Sequence, residues 1–208
     1  MANLTRRTLL LGTMCSLSGC GTLSLLSAAS EPLDTYDLRP VPGSTRGGRK
    51  SRTLLVAKPQ ASAALTTDRI MIKPDAAAIT YLPDARWSDE APAMLQALLI
   101  RSISETGRVA YVGRTDAGPA PDKALLVRVD AFEVVTLTEG MFEVRVEIDL
   151  TMVNDRDQTV AASRRFAKTE AIATDQARAI VTAFQTVMDA LLPQMSDWAV
   201  RHVSHERF

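Results

Sequence analysis

The chain has 208 residues, 46% of them hydrophobic and 23% charged, with a mean hydropathy of +0.01. That composition suits a globular protein with one sizeable core and excludes a disordered tail, a collagen-like rod and a polytopic membrane protein. Lysine plus arginine and aspartate plus glutamate stand at 24 each, and residues 1–19 hold Arg6, Arg7 and no acid, which leaves 22 bases against 24 acids beyond them. A slightly acidic domain is a poor nucleic-acid partner, because phosphate affinity comes from clustered cations.

At the amino terminus Arg6-Arg7 precede Leu9-Leu10-Leu11-Gly12-Thr13-Met14 and then Cys15-Ser16-Leu17-Ser18-Gly19-Cys20. A basic head, a brief apolar run and small residues form a secretory signal. The run is too short to span a bilayer, which takes about 20 apolar residues. Leu17-Ser18-Gly19-Cys20 resembles the lipobox of bacterial lipoproteins. The resemblance implies a signal peptide over 1–19, a diacylglycerol thioether on Cys20 and acylation of the new amino terminus. Each buried methylene is worth ~0.8 kcal/mol, so two or three chains anchor durably. Gly21, where an aspartate would favour inner-membrane retention, implies the periplasmic face of the outer membrane. Thr5-Arg6-Arg7-Thr8-Leu9-Leu10 also resembles a twin-arginine motif, so either export route fits. With Cys15 removed and Cys20 acylated, no thiol remains for a disulfide, a nucleophile or a metal.

Residues 20–33 read as a lipidated tether and 34–204 as one domain. Tyr36-Asp37-Leu38 is a short strand candidate, and 42–51 is loop chemistry; the four bases in or beside it, Arg46, Arg49, Lys50 and Arg52, suit a solvated loop better than a headgroup contact. Strands are predicted at 54–57, 69–72 and 78–81, each bounded by proline or polar residues. Ser88-Asp89-Glu90 should cap a helix that has Leu95, Leu98, Leu99 and Ile103 on one face and Gly107 at its end. A strand follows at 109–112. Phe142, Val144, Val146, Ile148, Leu150 and Met152 alternate with polar residues, which marks an antiparallel strand with one dry and one wet face. Its partners are 125–135 and 160–168, with a phase slip between Ala131 and Phe132 that suggests a bulge. The wet-face acids should face Arg128 or Arg164. From Asp175 a long helix carries Ala177, Val181, Phe184, Met188, Leu191, Met195 and Trp198, widened by Ile180 and Val187 into a core-facing stripe that Pro193 should kink.

No catalytic constellation is visible, and an enzyme is the poorer reading. There is no phosphate loop, nucleophile elbow or metal-ligand spacing, and no cofactor is implied. His202 and His205, the only histidines, lie on the polar carboxy-terminal end, where solvation suits them better than metal binding.

In order along the chain, Tyr36-Asp37-Leu38, then Ile79-Thr80-Tyr81 leading to Ala85-Arg86-Trp87-Ser88, Pro92 and Met94-Leu95-Gln96-Ala97-Leu98, resemble the ABC-type transport auxiliary lipoproteins, which include the paraquat-inducible Pqi-type lipoprotein. Leu125 to Glu133 is similar to the family's long strand ending in Phe-Glu, and 171–198 to its last helix. The resemblance covers most of 34–200. It implies a single α/β (α+β mixed) domain: a mixed, largely antiparallel sheet with flanking helices, comparable to the TolB amino-terminal domain. It also implies a non-catalytic accessory role beside an ABC transporter or permease and a membrane-anchored MCE-domain protein that move lipids or other hydrophobic compounds between membranes. A homo-oligomer is compatible with that role. The alternative is an independent carrier holding a lipid between sheet and helix. Tyr81, Arg86 and Trp87 are the candidate partner-docking residues. Beside that reading stands the plainer one, in which Trp87 is core packing.

Overall fold

The computed structural model describes residues 33–138 and 140–204. The signal segment with Cys20, the turn residue Glu139 and His205 lie outside the described residues. The elements are β1 (Asp34–Tyr36), β2 (Lys50–Val56), β3 (Gln60–Ala61), β4 (Arg69–Lys73), β5 (Thr80–Trp87), α1 (Ala91–Ser104), β6 (Val109–Arg114), β7 (Lys123–Thr138), β8 (Met141–Asn154), β9 (Val160–Ile172) and α2 (Ala177–His202).

Among the described residues the strands form one mixed sheet of nine. β7 has both edges occupied. β8 lies antiparallel along its whole length, with β9 beyond. The other edge takes three parallel strands in succession: β2 at 123–125, β3 at 128–129 and β4 at 134–135. β2 leads on to β6, and β4 to β5 and then β1. Antiparallel pairing dominates by length, although five of the eight pairings are parallel. The two helices pack on each other, α2 against β8 and β9 and α1 against β6 and β2.

Alternation in β8 places Val144, Val146, Ile148, Leu150 and Met152 inward, all at 0% exposure. In β7 the inward set runs Leu125, Val127, Val129 and then Phe132, Val134. The slip is one residue earlier than expected. Val129 faces Ile148 and Ala131 faces Glu147, so Asp130 is the extra residue. Ala131 is small enough to read as apolar in either phase, which hides the true position of a bulge.

Other expectations are corrected locally. The predicted 78–81 strand continues to Trp87, so Arg86 and Trp87 belong to β5 rather than to a linker. α1 has no side-chain cap. Asp89 instead accepts from the Glu90 N–H at 2.8 Å, and the first helical residue, Ala91, donates to the Thr67 carbonyl at 3.0 Å. Pro92 occupies the first turn, where its missing N–H is not needed. Gly107 lies three residues past the helix, where φ of +66° suits glycine.

α2 runs through Pro193 as one helix of 26 residues. Ile180, Phe184, Val187, Met188, Leu191, Leu192, Met195 and Trp198 are buried, whereas Ala177 and Val181 are half-buried. The segment leading into the expected solvated loop, and the first part of that loop, are docked on this helix. Arg39 N–H donates to Gln185 Oε1 at 2.8 Å and Ser44 N–H to Asp197 Oδ1 at 2.7 Å. A Cβ on Gly43 would lie 2.6 Å from that Asp197 oxygen, so glycine permits the approach.

Trp87, Phe132 and Phe184 meet at the centre. Their ring centroids are 5.6 Å (Trp87–Phe132), 5.1 Å (Trp87–Phe184) and 4.6 Å (Phe132–Phe184) apart, which ties β5, β7 and α2 together. Trp87→Ala is expected to cost ~3–5 kcal/mol, read from urea denaturation, with Trp87→Phe recovering much of the loss. An alanine variant as stable as wild type would contradict this packing.

Candidate functional site

The geometry of β5 decides what Tyr81, Arg86 and Trp87 can do. Between the Met71–Tyr81 and Arg69–Arg86 pairs the chain takes two steps on β4 and five on β5. Pro83 sits inside this bulge, a position that tolerates its missing N–H. The bulge reverses the strand's phase, so Leu82 points inward before it, and Ala85 and Trp87 after it. Tyr81 is half-buried and its hydroxyl donates to the Ala64 carbonyl at 3.1 Å. Arg86 points out: its Nε donates to Thr35 Oγ1 at 3.2 Å and its Nη1 lies 3.5 Å from Asp68 Oδ2. Trp87 is 1% exposed. The three residues therefore share a strand but not a surface. Thr35 and Asp68, which hold Arg86, come from distant parts of the chain, and no local pattern marks them.

The helix-free face of the sheet carries an ion network. Cross-strand pairing aligns Arg128, Asp149 and Arg165 on β7, β8 and β9. The bulge residue Asp130 adds a second carboxylate, 2.8 Å from Arg128 Nε and 3.1 Å from Arg165 Nη2. Asp149 bonds both guanidiniums, the one on Arg165 at 3.0 Å. The Arg128 hydrogen bond holds the Asp130 carboxyl below the usual carboxylate range, and the carboxylates push both arginines up. Arg128 thus pairs as expected, but Arg165 takes the place of Arg164. Arg164 lies across from inward-facing Leu150, with its guanidinium 4.9 Å from the centre of the Phe166 ring. Exposed pairs of this kind contribute little to stability.

Further up that face Glu133 is a buried carboxylate, 2% exposed, with Lys73 Nζ 3.2 Å away. Sequence reasoning missed this pair because sixty residues separate its members. His202 is not solvated as expected; its ring lies 4.7 Å from that of Trp198. Among the described residues no three His, Cys, Asp or Glu side chains are grouped as metal ligands. The layer between sheet and α2 is filled by Phe132, Val146, Ile148, Phe184 and Met188, all at 0–1% exposure. A groove of about 380 Å³ opens at the surface beside it, lined by Ile172, Gln176, Ala179, Thr182 and their neighbours.

A family model described as ABC-type transport auxiliary lipoprotein component matches residues 36–196. The chain belongs to this family. An uncharacterized protein of Bradyrhizobium diazoefficiens is 32% identical over 171 residues, covering 80% of this chain and 44% of that protein, so the chain spans less than half of that relative's length. Among solved structures, protein XCC0632 of Xanthomonas campestris, a DUF330 protein, aligns with a TM-score of 0.73 at 23% identity, covering 82% of this chain and 96% of that one. The hypothetical protein CT253 of Chlamydia trachomatis aligns at 0.51 with 6% identity, covering 74% and 99%. These likenesses establish the fold, a single mixed α/β domain. The family match begins at Tyr36 and ends in α2, the same stretch that carries the tyrosine, arginine–tryptophan and Phe-Glu passages.

Within this family member one carboxylate gives a pH signature. The Thr53 N–H, at 2.7 Å, and then Arg52 hold the Asp122 carboxyl below the ordinary range. A lowered folded-state pKa contributes stability that is full above the unfolded value and is lost as pH falls through the folded one. Asp122→Asn should therefore lower Tm at neutral pH, and the two curves should converge as pH falls through the lowered folded-state pKa. Thermal denaturation across the acid range checks this; a gap that stays constant with pH would contradict it.

Proposed function

We propose that this chain is a lipid-anchored, non-catalytic accessory subunit of an ABC transport system, one that serves an MCE-domain protein moving lipids or other hydrophobic compounds between membranes. The observation that carries the reading is the family match over 36–196, joined in one chain to the Leu17-Ser18-Gly19-Cys20 lipobox. Acyl chains on Cys20 hold it to the membrane, and Gly21 favours the periplasmic face of the outer membrane. Its work is to dock or orient the periplasmic partner, alone or as a homo-oligomer. A filled core and carboxylates neutralised by guanidiniums suit a docking body better than a catalyst. The independent carrier draws support only from the open groove beside α2, since the layer between sheet and helix is occupied.

Of the three candidate docking residues, Arg86 is the one that presents its polar end to solvent; Tyr81 is half-buried with its hydroxyl on the Ala64 carbonyl, and Trp87 supports the strand from within. Cys20→Ser should abolish fatty-acid labelling and move the protein to the soluble fraction; unchanged labelling and membrane fractionation would refute the anchor. Arg86→Ala should weaken co-purification of the transporter and MCE-domain protein from detergent extracts by about tenfold, a hot-spot arginine being worth more than 1 kcal/mol. Its Tm should stay close to wild type, because an exposed ion pair contributes little. Undiminished recovery would remove Arg86 from the docking surface.

A further inference from the structure

Among the described residues six large apolar side chains are exposed, and they divide between the ends of the sheet: Tyr111, Leu126 and Val160 lie toward the Lys123 end of β7, whereas Ile79, Leu137 and Met141, 49%, 52% and 42% exposed, lie at the other. Leu137 and Met141 flank the β7–β8 turn, and Ile79 ends the β4–β5 loop. β4 is parallel to β7, with Ile72 opposite Val134 and Lys73 opposite Val135, so that loop lies level with the turn. Neighbouring strands are ~4.8 Å apart, which brings the two apolar tips within roughly 10–15 Å.

The amino-terminal entry to the domain faces the same end. β1 is parallel to β5, with Asp34 opposite Ala85 and Tyr36 opposite Trp87. β5 starts at this end, at Thr80, so the chain enters β1 at Leu33 from the side of the tips. Twelve residues, 21–32, separate Cys20 from Leu33. Even fully extended they reach ~40 Å, at 3.3–3.6 Å per residue. A tether of that reach does not by itself impose an orientation on the domain.

We propose that the Ile79, Leu137 and Met141 tips seat in the lipid surface that carries the Cys20 anchor and orient the domain on it. The proposal rests on the lipoprotein reading above. Charges around the tips are mixed: Lys73 and Arg145 stand beside Asp75, Glu133 and Glu143. The contact is therefore apolar and suits zwitterionic lipid rather than an anionic surface. The opposite end, where Tyr111, Leu126 and Val160 are exposed and the basic loop leads into β2, is the rival face, and the chain does not enter β1 from it. There the Arg49 guanidinium donates to the Ala110 carbonyl at 3.1 Å and Arg52 is bonded to Asp122 at 2.9 Å, so both are drawn back onto the protein.

The test uses full-length lipidated protein in phosphatidylcholine–phosphatidylethanolamine vesicles. Single fluorophores are placed through Ile79→Cys, Leu137→Cys or Met141→Cys, and through Gly48→Cys in the basic loop, where a side chain meets nothing within 4 Å. Brominated phospholipid should quench the three tip probes several-fold more than the probe at 48, aqueous iodide should do the reverse, and added salt should change neither. Equal lipid quenching at both ends, or stronger quenching at 48, would overturn the proposal. So would tip probes shielded from iodide yet unquenched by lipid, because protein would then cover them. Fatty-acid labelling of the same samples separates the failures: labelled protein with unquenched tips refutes the orientation alone, whereas unlabelled protein refutes the anchor and the orientation together.

Discussion

The fold depends on β7 serving both of its edges at once. One edge holds β8 from Lys123 to Thr138, and the other holds β2, β3 and β4 in turn. Such a strand must keep apolar side chains inward along its full length although the sheet it joins branches and twists. The extra residue at Asp130 meets that demand. It changes the phase, so that Phe132 rather than Ala131 enters the core and reaches Trp87 and Phe184. Without the bulge, the inward positions beyond Val129 would hold Ala131 and the carboxylate of Glu133, and the aromatic contact between sheet and α2 would be lost.

The same bulge shapes the outer face. Turned outward, Asp130 completes the square of two carboxylates and two guanidiniums across β7, β8 and β9. The network adds little stability, but it neutralises the solvated face in register with the strands beneath. Among the described residues β9 is paired on one side only, and Arg164, Arg165 and Lys168 along it are the charges with which natural edge strands avoid unwanted pairing. A filled core, a neutralised face and a charged edge describe a body that holds a position. Such a body suits the auxiliary role proposed above.

Much of this was legible in the sequence, for a reason that varies by element. Strict alternation over Phe142 to Met152 admits one interpretation, and the spacing of Ile180, Phe184, Met188 and Leu191 another, because each repeats its period several times. β3 has two residues and repeats nothing, so it left no mark. The end of β5 was misplaced because its bulge around Pro83 interrupts the alternation before Arg86 and Trp87. Arg164 and Arg165 are adjacent, and composition cannot say which faces the acids; only the register with Leu150 and Asp149 does. The candidate site was legible as a passage of residue types but not as a surface, since strand parity sends Arg86 out and Trp87 in.

If β7 is the common element, its two halves cannot open independently. Native-state hydrogen exchange on the folded protein tests that directly. Amides of 123–129 and of 132–138 should exchange with the same, highest opening free energy, together with the buried part of α2. Two distinct opening energies, with 132–138, β4 and β5 released while 123–129 and β2 stay protected, would show that the branches are separate units and that β7 does not unite them.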